Sequence, residues 1–261
     1  MKQPLAGLTV VVTRPERQAG RFIELLHEAG AACVAFPTLA IEPITLDAAS
    51  RARLAPDDYD WVIYTSTNAV EQALAQLPRP LKARLAAVGR ATARALRDQG
   101  LEVHATPEQA SNSEGLLAVP ELADVRGRRI LILKGIGGRD MLRESLSCRG
   151  AEVTLGEVYS RTVAVPAPGT VEGLQRACAS GLAVIAVTSV DVLDALLELA
   201  PETRVARLRA TPLLLPGERV VAAARERRWR GPLVVAPSAE DATMINALAR
   251  AREEGRIPLP A

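Results

Sequence analysis

Apolar and polar positions in this chain follow two alternating rhythms. Residues 8–13 form an unbroken apolar run closed by Thr13, the pattern of a short strand covered on both faces. Behind it Phe22, Leu25, Leu26 and Ala29 recur at helical spacing. Gly30 then stands where a helix C-terminus favours a residue without a Cβ. The same phrase returns three times: 61–65 with Val70, Ala73, Leu74 and Leu77; 130–133 with Leu142 and Leu146; and 184–187 with Leu193, Leu196, Leu197 and Ala200. Strand, turn and helix in repetition predict open parallel sheets of the α/β class. Two stretches depart from the pattern. Residues 33–45 and 153–165 are long and extended in character, with prolines at 37, 43 and 166, and read as crossover strands joining two domains. The charged, proline-containing tail from Ala251 onward reads as a fraying end.

The pattern also repeats on a larger scale. With Gly7 set on Gly127, Thr9 to Arg14 faces Arg129 to Lys134 without a gap, Glu24 faces Glu144, and Gly30-Ala31 faces Gly150-Ala151. A second pair sets Val62 to Asn68 against Ile185 to Asp191, and a weaker third sets Val88-Gly89 against Pro216-Gly217. An internal duplication of this kind predicts two similar domains with a ligand-sized cleft between them.

Length and composition agree with that picture. At 261 residues the chain suits two domains, and 48% hydrophobic with 24% charged residues is the composition of a globular protein. A net charge of +2 and an aromatic content of 3% give no reason to expect nucleic acid. Only Lys2, Lys82 and Lys134 among the 32 basic residues are lysine. The apolar run at the N-terminus is too short for a signal-peptide core or a membrane span, so a cytoplasmic protein without a membrane partner is expected. Cys33, Cys148 and Cys178 lack metal-ligand spacing and read as reduced, packed thiols, and no metal is expected.

Candidate chemistry sits where strands run into helices. Ligands of open α/β sheets bind beyond the strands' carboxyl ends, where free N–H groups of helix starts attract anions. Six such turns carry suitable residues: Thr13-Arg14; Thr65-Ser66-Thr67-Asn68; Val88-Gly89-Arg90; Lys134 to Arg139, with Gly135 and Gly138; Thr188-Ser189; and Pro216-Gly217-Glu218. Plain helix capping is the better explanation of any one of them alone, but not of the whole set. The Lys134–Arg139 loop is the strongest. Glycines there permit close backbone approach between two cations, but neither a dinucleotide nor a triphosphate fingerprint is present. A carboxylate or another exposed anion is the expected target. No catalytic triad, zinc motif or paired-acid motif appears, and His27 and His104 read as surface residues. The reaction such a protein could catalyse is one governed by binding and orientation, with Tyr159 on the second crossover as the candidate proton donor, or equally an amphipathic residue bridging the interdomain surface.

Taken together, Leu8 to Pro15, Asp60 to Val70, Ala87 to Ala93, Ser111 to Leu117, the Lys134–Arg139 loop and Val158-Tyr159-Ser160-Arg161 resemble the uroporphyrinogen-III synthase family over essentially the whole chain. The resemblance implies two flavodoxin-like parallel-sheet domains joined by two crossover strands. One would be discontinuous (1–36 plus 166–261), the other would span 44–154, with 37–43 and 155–165 as linkers. Contiguous domains fit the pattern equally well. It also implies a cyclising lyase, acting without cofactor and as a monomer in tetrapyrrole (haem) biosynthesis. That enzyme dehydrates and closes hydroxymethylbilane to uroporphyrinogen III with inversion of the last pyrrole ring. Tyr159 matches the family tyrosine held to assist hydroxyl departure. Thr13, Arg14, Thr65, Ser66, Asn68, Val88, Gly89, Ser111, Ser113, Lys134, Gly135, Gly138, Arg139, Thr188 and Ser189 fall at substrate-binding positions. Two departures stand out. Lys134 replaces an arginine and loses its bidentate grip, and Pro216 with Glu218 puts carboxylate binding at that turn in doubt. A non-enzymatic two-domain module for a polycarboxylate ligand is the competing reading.

Overall fold

The first apolar run becomes β1 (Thr9–Val12) and the helical spacing behind it α1 (Glu16–Glu28), followed by β2 (Ala32–Ala35), β3 (Leu39–Pro43) and α2 (Ala48–Arg53). The chain continues through β4 (Trp61–Tyr64), α3 (Thr67–Leu74), β5 (Arg84–Ala87), α4 (Arg90–Asp98), α5 (Ser113–Leu117), β6 (Arg129–Gly135), α6 (Met141–Cys148) and β7 (Glu152–Val163). It closes with α7 (Thr170–Ser180), β8 (Ala183–Ala186), α8 (Val190–Leu199), α9 (Val205–Ala210), β9 (Leu213–Pro216), α10 (Gly217–Glu226), β10 (Leu233–Ala236) and α11 (Asp241–Glu253). This computed structural model describes residues 3–108, 112–138, 140–167, 169–200 and 205–257.

Two units emerge. The first takes the chain up to Ala40 and again from Thr162; the second is Ile41–Arg161. Their sheets run β10-β9-β8-β1-β2 and β3-β7-β6-β4-β5. The pairings of β1 with β2 and β8, of β9 with β8 and β10, and of β4–β5, β4–β6 and β6–β7 are all parallel. The duplication accounts for the order. It equates β1 with β6, β8 with β4, β9 with β5, and β2 with the start of β7. Under that mapping β2-β1-β8-β9 and β7-β6-β4-β5 are one sheet seen twice. Ala105 bridges in parallel to Ala86 in the second unit, where the first has β10. The second unit therefore has the strand order of the first, entered at a different strand.

Each sheet is covered on both faces. In the first unit, Phe22 and Leu26 of α1 with Met244 and Leu248 of α11 pack on Val10, Val12, Val184 and Leu214. Leu174, Leu193, Leu196 and Val220 from α7, α8 and α10 cover the opposite face at Val11, Ile185 and Leu213. Because side chains alternate along a strand, a buried strand must be apolar at every position, as these are. Each such buried Leu, Ile or Phe contributes about 2 kcal/mol of transfer free energy. The second unit repeats the scheme, with α3 and α4 on Val62, Leu85 and Leu131 and with α5 and α6 on Trp61, Ile63, Ile130 and Ile132. Gly30 and Gly150, matched by the repeat, both end their helices at positive φ (92° and 87°), a conformation strained for any other residue.

Three expectations change. The proline-punctuated segments are not mere connections: β3 is an edge strand of the second sheet, and β7 pairs with β6 along most of its twelve residues. The tail does not fray through 257. Ala251 and Ile257 are buried, and Arg252 donates to the carbonyls of Pro4 (3.1 Å) and Ala6, tying the last helix to the first residues. Cys148 is exposed rather than packed, while Cys33 and Cys178 are half-buried.

Candidate functional site

Parallel strands in register bring their carboxyl ends to one edge. In the second unit Tyr64 aligns with Ala87 and with Leu133. The turns that follow, Thr65 to Asn68, Val88-Gly89 and Lys134 to Gly138, therefore share that edge, where helix starts point N–H groups outward. Ser66 caps α3, its Oγ accepting the Ala69 N–H at 3.1 Å. Thr65 turns its hydroxyl inward to the Leu133 carbonyl at 3.1 Å. Gly89 is the N-cap of α4 and has no side chain to occupy the first-turn N–H groups. Val88 and Asn68 are half-buried beside these turns, and Ser113 opens α5 under an Asn112 cap.

Tyr159 reaches the same edge through an irregularity. The β6–β7 register pairs Lys134 with Glu157 and then Gly135 with Tyr159, so β7 advances two residues for one and draws the tyrosine beside the glycine. A Cβ at position 135 would lie 2.6 Å from two ring carbons of Tyr159, which is why glycine is required there. The ring is fully buried. Its hydroxyl lies 3.0 Å from Ser66 Oγ and accepts a hydrogen bond from Arg161 Nη2 at 2.9 Å, with the guanidinium 5.4 Å from the ring centre. Burial pushes the neighbouring Tyr64 phenol up, away from proton exchange, and Tyr64 packs within the sheet core.

A pocket of about 160 Å³ opens here, lined by Thr65, Lys134, Gly135, Asp140, Tyr159 and Arg161 among others. Lys134, nearly buried, places its ammonium 3.5 Å from Asp140, whose other oxygen accepts from Arg143 at 3.1 Å. Gly137 and Gly138 continue the loop at positive φ and are exposed. Among the described residues Lys134, Arg143 and Arg161 line this pocket against the one carboxylate of Asp140, which leaves it positive and suited to a carboxylate ligand. No group of His, Cys, Asp and Glu suited to a metal ion occurs among the described residues.

The first unit's equivalent edge is built differently. Thr13 is fully buried and donates its hydroxyl to the Ala186 carbonyl at 2.6 Å, so it closes the β1–β8 seam and presents nothing to a ligand. Arg14 is held by the Asp241 carboxylate and the Ala239 carbonyl (2.8 Å) and lies 4.4 Å over Phe22, fastening the end of β1 to the start of α11. Both residues are thus engaged in internal contacts of the framework. Ser189 caps α8 through the Val192 N–H at 3.2 Å, with Thr188 half-buried before it. Pro216 ends β9 and Gly217 opens α10 at φ 65°, with no side-chain cap. Ser111 and Arg139 lie outside the described residues. Thr13→Val tests the framework role. Losing one buried hydrogen bond should cost about 1–2 kcal/mol and lower the melting midpoint by a few degrees, with turnover at 25 °C unchanged. A large loss of turnover in the folded variant would return Thr13 to the site.

Arg161 falls in the Val158–Arg161 motif without a role assigned to it from sequence, and Asp140 has none either. For Arg161 the signal was available: two residues beyond Tyr159 on a strand, it shares the tyrosine's face. For Asp140 there was none, because its pairing with Lys134 depends on the loop's path.

The family model for uroporphyrinogen-III synthase HemD matches residues 20–246. The chain is 34% identical to the uroporphyrinogen-III synthase of Salmonella typhimurium over 249 residues, covering 92% of this chain and 100% of that one. Against the Escherichia coli protein of the same name it is 32% identical over 248 residues, with the same coverage. Among solved structures, a mutant uroporphyrinogen III synthase from Thermus thermophilus superposes with a TM-score of 0.59 at 24% identity, over 95% of this chain and 100% of that one. The Helicobacter pylori uroporphyrinogen-III synthetase gives 0.60 at 14% identity, over 94% and 99%. These two share the fold: two α/β domains built on parallel sheets.

Proposed function

Because the chain belongs to the uroporphyrinogen-III synthase family, we propose that it dehydrates and closes hydroxymethylbilane to uroporphyrinogen III at the carboxyl edge of its second sheet. The activity is that of a cyclising lyase of porphyrin biosynthesis. The observation that carries the assignment of the site is the Ser66–Tyr159–Arg161 contact beside a positive pocket.

The substrate is a linear tetrapyrrole with an acetate and a propionate on each ring. Its carboxylates match the N–H groups at the starts of α3 and α4, the Ser66 and Asn68 turn, and the Lys134 loop. Ser113, with Ser111 and Arg139 by sequence position, completes the proposed binding set on this unit. Loss of the terminal hydroxyl leaves an electrophilic azafulvene. Its formation needs only a proton and a stabilised cation, so a weak acid suffices and Tyr159 is assigned that part. The substituted carbon of the last ring then attacks, and the resulting spiro intermediate rearranges to the inverted ring. Unassisted closure joins the unsubstituted position instead, so the product isomer is decided by how the chain is held. A substrate bearing so many carboxylates does not cross a bilayer unaided, which favours the cytoplasm where such precursors are made. Among the described residues no helix is long and apolar enough to cross a membrane.

The test is isomer analysis. Supplied with fresh hydroxymethylbilane, the protein should deliver predominantly isomer III. Isomer I alone, at the uncatalysed rate, would leave a binding module and refute the enzyme.

A further inference from the structure

Tyr159 has a difficulty as a direct proton donor: it has no exposed surface. Its hydroxyl is enclosed by two partners, Arg161 Nη2 at 2.9 Å and Ser66 Oγ at 3.0 Å. Arg161 has only donors, so the phenol oxygen must accept there. Ser66 Oγ accepts the Ala69 N–H at 3.1 Å and keeps capacity for one more donor and one outgoing proton. The phenol can therefore donate to Ser66, leaving the serine's own proton to point away. Ser66 is half-buried at the strand-end edge, whereas Tyr159 borders the pocket without exposed surface of its own.

We infer that Ser66 delivers the proton to the substrate's departing hydroxyl, with Tyr159 supplying it from behind and Arg161 holding the resulting phenolate. This rests on the synthase reading above. In the step, the Ser66 Oγ–H proton passes to the hydroxyl oxygen. The C–O bond breaks with its electron pair, and water leaves. The Tyr159 proton moves to Oγ as this happens, and the phenolate is paired with the Arg161 guanidinium. The cationic azafulvene is attacked by the ring carbon. The proton released when the attacked pyrrole ring regains its aromaticity returns through Ser66 to Tyr159, so the chain ends as it began. The first-turn N–H of α3 directed at Oγ eases its passage through a charge-rich state. In this scheme Ser66 is the residue in contact with substrate, and Tyr159 and Arg161 are positioning residues.

Ser66→Asn separates capping from proton transfer, since asparagine caps a helix as well as serine but has no acidic hydroxyl. With single turnovers of hydroxymethylbilane, S66N should lose on the order of 100-fold in rate with substrate affinity and melting midpoint little changed. Ser66→Thr, which keeps hydroxyl and cap, should stay within about tenfold of the parent. S66N combined with Tyr159→Phe should be no slower than the worse single variant, because both interrupt one chain. In mixed light and heavy water the parent's rate should follow a curved proton inventory, the sign of two protons moving together. An S66N rate near the parent's, multiplied losses in the double variant, or a linear inventory would overturn the relay. A parent that makes only isomer I would instead overturn the synthase reading itself, so the two failures are distinct.

Discussion

Tyr159→Phe should slow formation of uroporphyrinogen III by about 100-fold, the range expected when a general acid is removed. The ring remains seated among Leu131, Leu133 and Val158, so the core loses no volume. Both partners of the lost oxygen keep access to water, Arg161 being exposed and Ser66 half-buried. The cost in stability should therefore be about 1 kcal/mol, a shift of only a few degrees in the melting midpoint. Isomer analysis supplies a second readout. As the enzymatic rate falls, spontaneous closure competes and the share of isomer I rises. Unchanged turnover would remove Tyr159 from the mechanism, whereas a collapse in melting midpoint would mark its hydroxyl as structural.

Gly135→Ala should do more damage than its single methyl suggests. The added carbon would come within 2.6 Å of Cε2 and Cζ of Tyr159, and the ring is held on its other sides by the buried core. The ring must move, taking its hydroxyl off Ser66 and Arg161. Overpacking of this sort costs about 1–3 kcal/mol. Turnover should drop at least as far as in Tyr159→Phe, where the ring stays in place. Adding Tyr159→Leu to Gly135→Ala separates the two effects: the shorter side chain relieves the contact and restores melting behaviour, while activity stays low. Parent-like activity in Gly135→Ala would show that the tyrosine's position is not critical.

The alternation of apolar runs and helical spacings was enough to place β1, α1, β4, α3, β6, α6, β8 and α8, because strands buried on both faces and helices buried on one leave period-specific traces. The repeat carried more, since matching β1 with β6 and β4 with β8 already contains the common sheet order. What escaped was information held across distance. Nothing local to Arg14 marks Asp241, 227 residues away, as its partner. Nor does an isolated Thr13 reveal that its hydroxyl meets a carbonyl 173 residues on. The contact between Tyr159 and Gly135 depends on a register slip in β7, which strict period-two reading does not contain. Capping serines could be located but not ranked. Ser66 and Ser189 cap in the same way, and only the tyrosine behind Ser66 distinguishes them.

The permuted relationship between the two units also constrains when each can be completed during synthesis. The second unit is one uninterrupted stretch, so every strand it needs has left the ribosome once Arg161 has. The first unit cannot close at that point. β1 finds β2 at once, but its other neighbour, β8, and the Ala186 carbonyl that takes the Thr13 hydroxyl are made only later. The nascent chain thus presents an apolar ribbon that stays one-sided while an entire sheet is completed downstream of it. Substitutions along the outer flank of β1 should then affect yield during synthesis more than the stability of the finished protein.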